Sequence, residues 1–172
     1  PGLLKEPFLK TLSGFELPTS GVALNKSMIH EVGGFDETMD YSEDTLLFHQ
    51  ILLHGDLYYL DQSLVVAKHH DASAKQKVEE KKMIQARLAV YLKLLNSNKA
   101  ESYQKWLSYQ AATTGMERVW KYFFKNPLQH THVLINSIQQ LSASQGVLVQ
   151  HKLLAIVLPL QMIWKKTNNQ HA

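Results

Sequence analysis

Residues Gly33–His70 read GGFDETMDYSEDTLLFHQILLHGDLYYLDQSLVVAKHH, and the order of features in these 38 residues decides the fold class. A Gly-Gly turn is followed by Ser42-Glu43-Asp44. Ser42 is an N-cap by residue type, and acids in the first turn answer the partial positive charge of a helix end. Leu46, Leu47, Phe48, Ile51 and Leu52 then give a helix over Glu43–His54 a broad apolar stripe, which Gly55 closes. Leu57–Leu60 and Leu64–Ala67 are β-prone runs on either side of Asp61-Gln62-Ser63, which predicts a hairpin or two adjacent strands. The stretch ends on His69-His70.

Working outward, Thr19–Leu24 (TSGVAL) reads as a short strand. Asn25 is placed to cap a helix over Lys26–Val32, and Gly33 or Gly34 ends it, because a left-handed residue there costs glycine nothing. Phe35 follows as an apolar anchor. Residues 1–16, punctuated by Pro7 and Gly14, predict loops with at most one helical turn. After His70 the periodicity becomes helical. Lys75–Leu95 forms one long helix, and further helices run over about 101–112, 116–125, 128–141 and 147–166, with breaks at Gly115, Asn126-Pro127 and Gly146. The expected layout is a mixed α/β part over residues 1–74 and an all-helical part over 75–172.

Within the triplet, helical spacing separates the two acids. Leu47, Phe48 and Ile51 lie three, four and seven residues after Asp44, so its carboxylate stands in line with the apolar stripe. Glu43 shares its face with Leu46 and Leu47 but also with Gln50 and His54. Capping accounts for both acids without any chemistry. A carboxylate in line with an apolar face, however, needs a polar partner or a task.

The segment from Thr19 to Asp61 resembles the C-terminal half of the catalytic domain of family 2 glycosyltransferases with the GT-A fold. The resemblance rests on Thr19-Ser20-Gly21 before a short helix, on the turn Gly33-Gly34-Phe35-Asp36-Glu37, and on the pair Glu43-Asp44 heading a helix that ends in Gly and an apolar run. It covers about residues 15–74 and implies a partial GT-A fold, the acceptor-side half. It also implies that Asp44, flanked by Glu43, takes the proton from an acceptor hydroxyl. That oxygen then attacks the anomeric carbon of a nucleotide sugar and expels the nucleoside diphosphate. Thr19, Ser20, Gly21, Gly34, Phe35 and Asp36 are the implied substrate-binding positions.

The family holds Mg²⁺ or Mn²⁺ on the diphosphate through an Asp-x-Asp motif in its nucleotide-binding half. Neither that motif nor a glycine-rich phosphate loop occurs in this sequence. The expectation is an excised acceptor-side portion that is inactive alone, with the divalent metal belonging chiefly to the other half. His70, with His69 behind it, is the candidate for a metal or diphosphate contact from this side. Neighbouring residues of an extended strand point to opposite faces, so one of the two at most reaches a common site. His49 and His54 read as packing or surface residues.

Composition adds bounds on partners and location. There is no cysteine, which excludes disulfides and thiolate metal sites and fits a reducing compartment. Residues 1–117 hold twelve basic and all 15 acidic residues, a net of −3, whereas residues 118–172 hold six basic and no acidic ones, a net of +6. A one-signed terminal segment fits an anionic neighbour such as a lipid surface. The apolar run Leu153–Trp164 is 12 residues long, short of the roughly 20 needed to span a bilayer. It suits peripheral contact at the inner face of a membrane or a buried helix. Tyr103, Trp106, Tyr109, Trp120, Tyr122, Phe123 and Phe124 form an aromatic zone expected in a core, and no nucleic-acid motif accompanies it. A cytoplasmic polysaccharide-building transferase acting on a nucleotide sugar and a glycan acceptor is therefore the leading expectation. A non-catalytic interaction module with a basic tail is the alternative, and a His-dependent metal-binding domain is the third reading.

Overall fold

Helices predominate among the described residues of the computed structural model, which describes residues 1–66, 80–118, 135–141, 143, 147 and 151. Among the described residues there is one small two-stranded sheet. The chain divides into two compact units, Pro1–Glu79 and Glu80–Ala172.

The first unit runs β1 (Gly2–Leu3), α1 (Pro7–Leu12), a 3-10 turn (Thr19–Gly21), α2 (Lys26–Glu31), α3 (Glu43–Leu52) and β2 (Tyr58–Tyr59). Helix α1 falls where only a turn was expected. Pro7 opens it with its φ already set for a helix, and Phe8 and Leu12 enter the core on one face. Helix α1 packs on α3, whose Leu46, Leu47, Phe48, Ile51 and Leu52 are all buried. The apolar stripe read from the sequence is therefore the inner face of the unit.

Of the three runs expected as strands, Leu57–Leu60 forms one in part, as β2, and the other two form none among the described residues. Thr19–Leu24 is not a strand: Thr19–Gly21 winds into a 3-10 turn closed by Gly21 N–H to the Pro18 carbonyl at 2.8 Å, and the chain is then merely extended at Val22. Leu57–Leu60 and Leu64–Val66 do not pair with each other, and Ala67 lies outside the described residues. Instead β2 pairs antiparallel with β1, Gly2 opposite Tyr59 and Leu3 opposite Tyr58, and Leu4 N–H extends the ladder to the Leu57 carbonyl at 2.8 Å. Leu64, Val65 and Val66 are exposed and belong to no element. Residues with high β-propensity form strands only where a backbone partner is at hand.

The turn chemistry follows the sequence closely. Asn25 caps α2, its Oδ1 accepting Ser27 N–H at 2.9 Å. Both glycines end the helix: Gly33 N–H reaches the His30 carbonyl at 3.2 Å and Gly34 N–H the Ile29 carbonyl at 2.9 Å. This is the paired closure of a Schellman motif, and φ is +89° at Gly33 and +77° at Gly34. Phe35 is not the expected anchor, since its ring is 54% exposed. Helix α3 stops at Leu52, two residues before the expected end. Gly55 does not close it in a left-handed conformation; it serves instead as a site of close approach, where a Cβ would run into Met28 Cε of α2.

In the second unit, α4 (Glu80–Leu95) is followed by a 3-10 turn (Asn98–Tyr103) and α5 (Gln104–Arg118), with residues 135–141 also helical. Ile84, Leu88 and Leu94 of α4 and Leu107, Ala111 and Ala112 of α5 are buried where the two helices pack together. Gly115 does not break α5. It lies on a face of small residues with Ser108 and Ala112, and a Cβ there would be 3.0 Å from Leu141 Cδ1. Alanine at this position gains about 1 kcal/mol of helix propensity against that contact. Valine adds two methyl groups toward a buried Leu141, so Gly115→Val is expected to destabilise the protein by about 1–3 kcal/mol. Urea unfolding measures this, and an unchanged midpoint would mean that Leu141 moves aside freely.

Candidate carboxylate site

Asp44 is the second residue of α3, and its carboxylate is held from two directions. Thr19, 25 residues earlier, donates its hydroxyl to Asp44 Oδ2 at 2.5 Å. Oδ1 accepts the Thr45 N–H at 2.6 Å and, more loosely, the Thr45 hydroxyl at 3.3 Å. The short O–H···O contact is typical of a charge-assisted bond to a carboxylate. A carboxylate offers about four lone-pair positions, so these three contacts leave one for a further donor. Asp44 is partly exposed, which lets such a donor arrive from solvent.

The cap of α3 departs from its sequence reading. Ser42 occupies the N-cap position but makes no side-chain cap bond, and its φ of +62° is left-handed, which is uncommon for a residue with a Cβ. The orphan N–H at Thr45, which a serine cap would have taken, goes to Asp44 instead. Asp44 therefore serves as both cap and exposed acid. Glu43, partly buried beside it, has no polar partner among the described residues.

The other predicted positions are distributed as follows. Thr19, Ser20 and Gly21 share the exposed 3-10 turn, and of these Thr19 alone reaches Asp44. Asp36 folds its own turn, Oδ1 accepting both the N–H of Thr38 at 3.0 Å and its hydroxyl at 2.5 Å. Gly34 and Phe35 precede that turn, and no hydrogen bond joins it to Asp44. His69 and His70 lie outside the described residues, as do Trp120 to Phe124, Leu153–Trp164 and nearly all of the basic segment. Among the described residues no group of three or more His, Asp or Glu is arranged to hold a metal ion. No helix among them is long and apolar enough to cross a membrane.

His49 is a contributor that the sequence pattern leaves undistinguished. It is buried on α3, its Nδ1–H donates to the Thr45 carbonyl at 2.8 Å, and its ring stands edge-on to Phe8 with centroids 5.6 Å apart. That bond fixes Nδ1 as the protonated nitrogen and leaves Nε2 buried with no partner among the described residues. Thr45 is thus gripped at both ends, its N–H by Asp44 and its carbonyl by His49. His54, by contrast, pairs with Glu31 at 3.0 Å across the α2–α3 contact, a partly exposed pair worth at most about 1 kcal/mol.

Burial holds the His49 imidazole below its ordinary value of 6.5, and its bond to the Thr45 carbonyl opposes that shift more weakly. The unfolded chain takes up a proton near pH 6.5 and the folded chain does so only at lower pH. Stability is therefore full above pH 6.5 and falls as pH drops below it, by at most about 1.4 kcal/mol per pH unit from this group. Unfolding titrations between pH 8 and pH 5 test this against His49→Leu, which is expected to show a shallower decline. Parallel curves would assign the acid sensitivity elsewhere.

Comparison of the chain with protein-family models, curated proteins and solved structures finds no match.

Proposed function

We propose that this chain is the acceptor-side part of an inverting glycosyltransferase of the GT-A, family 2 kind, with Asp44 as the general base and the donor half supplied by another segment. The observation that carries the reading is the Thr19–Asp44 hydrogen bond. It joins the first and last of the motifs on which the resemblance rests, and it orients a carboxylate that keeps one acceptor position free. In this reading Glu43 flanks the base, and the Gly34–Asp36 turn and Thr19–Gly21 border the acceptor. His70 assists Mg²⁺ or Mn²⁺ on the diphosphate, and the basic tail rests on the cytoplasmic face of a membrane.

A second reading is favoured by the same carboxylate. Asp44 caps Thr45 and tethers the 3-10 turn, and those tasks suffice for a non-catalytic interaction module. The two separate in one experiment. The product of the full open reading frame is assayed for release of nucleoside diphosphate from nucleotide sugars, alongside Asp44→Asn. Release that depends on Asp44 supports the first reading. Release that is absent with every donor, or insensitive to Asp44→Asn, supports the second.

A further inference from the structure

Trp106 and Tyr109 stand three residues apart on one face of α5 and are 51% and 47% exposed, although aromatic rings at this spacing are expected in a core. With Lys105 and His151 they line a cavity of about 430 Å³ in the second unit. That volume falls in the range of small-molecule sites, about 300–1,000 Å³. Among the described residues its lining carries an ammonium, an imidazole and the polar edges of the two aromatic rings. His151 Nδ1 lies 2.7 Å from the hydroxyl of Ser108, which is fully buried, and the imidazole stands at 71° to the Tyr109 ring with centroids 6.0 Å apart. Nδ1 is thereby occupied, and Nε2 is the ring nitrogen available to another partner. Lys105 brings an ammonium that is in no ion pair among the described residues.

We infer that this cavity binds a flat aromatic ring bearing one anionic group, the ring against Trp106 and Tyr109 and the anion at Lys105 with His151 beside it. Lysine at the rim opposes a cationic ligand, the usual guest of clustered aromatic rings. The inference is independent of the sugar-transfer reading, since Lys105, Trp106, Tyr109 and His151 belong to the second unit. An aromatic carboxylate and a nucleoside monophosphate share the required chemistry.

Calorimetric titration of the whole chain with 2-naphthoate, its neutral amide and adenosine 5′-monophosphate tests the site. Saturable binding of at least one anion at one per chain is expected, and the tighter of the two anions identifies the source. Trp106→Ala is expected to weaken that binding about tenfold, through lost stacking and area. Trp106→Phe keeps a ring and is expected to lose less. Lys105→Gln is expected to abolish the preference for naphthoate over its amide. No saturable binding of either anion, equal affinity for acid and amide, or unchanged affinity in both Trp106→Phe and Lys105→Gln would overturn the assignment. The last two variants change exposed side chains and keep the test valid if Trp106→Ala fails to fold.

Discussion

Under the proposed sugar-transfer function, Asp44→Asn is expected to lower transfer by about 10²–10⁴-fold in the product of the full reading frame, the usual contribution of a positioned base, with nucleotide binding retained. The local geometry makes this substitution unusually clean. Asparagine can turn its Oδ1 toward the Thr45 N–H, replacing the 2.6 Å bond, and present its amide to Thr19. The Thr19 hydroxyl can rotate to accept from that amide, since a hydroxyl both donates and accepts. The cap and the tether survive, while the carboxylate proposed to take a proton is lost. The stability change is expected to stay within about 1 kcal/mol. Thr19→Val does the converse: the proposed base remains but loses its tether, so a smaller loss of rate is expected. Initial rates for both variants, with unfolding curves in parallel, check the pair. More than a few per cent of transfer remaining in Asp44→Asn would remove Asp44 from the role.

The parts of the fold that were legible in the sequence are those governed by neighbours along the chain. Asn25 caps α2 because its side chain needs only the N–H two residues on. Gly33 and Gly34 end that helix because a left-handed residue at such a place favours glycine. The stripe from Leu46 to Leu52 is buried because helical periodicity alone puts those side chains on one face. What was not legible depends on partners distant in sequence. Nothing near Tyr58 announces that its strand pairs with Gly2–Leu3 rather than with Leu64–Val66. Gly55 and Gly115 carry the sequence signature of helix stops, and each instead makes room for a side chain from elsewhere, Met28 and Leu141 respectively. A glycine's reason for being small is set by what approaches it.

The candidate site divides in the same way. Spacing on α3 separated Asp44 from Glu43, but both acids are partly buried, and the difference between them is made by Thr19 and Thr45. The Ser42 cap was legible by residue type and is not made, because the left-handed backbone at Ser42 accompanies a carboxylate cap two residues later. His49 was readable as a packing residue, yet its grip on the Thr45 carbonyl ties the buried side of α3 to the turn that holds the acid.

Phe8, whose ring stands against His49, carries consequences beyond packing. Phe8→Ala is expected to destabilise the protein by about 3–5 kcal/mol, the usual cost of truncating a buried aromatic side chain. Phe8 is 1% exposed, lies on a six-residue helix too short to persist without tertiary contacts, and meets α3 through the His49 ring. A loss of that size is a large fraction of the roughly 5–15 kcal/mol by which domains are stable. Urea unfolding gives the magnitude, and hydrogen exchange at Leu46–Leu52 shows whether α3 loses protection with it. The substitution should also change the acid response. Removing the ring opens space beside the His49 imidazole, whose Nε2 has no partner among the described residues, and water admitted there relieves the burial that holds it low. Stability should then depend less steeply on pH below 6.5 in Phe8→Ala than in the parent chain. Phe8→Leu, which keeps the site dry, should lose less stability and retain the parent slope. Equal slopes in all three proteins would show that the Phe8 ring does not keep His49 from water.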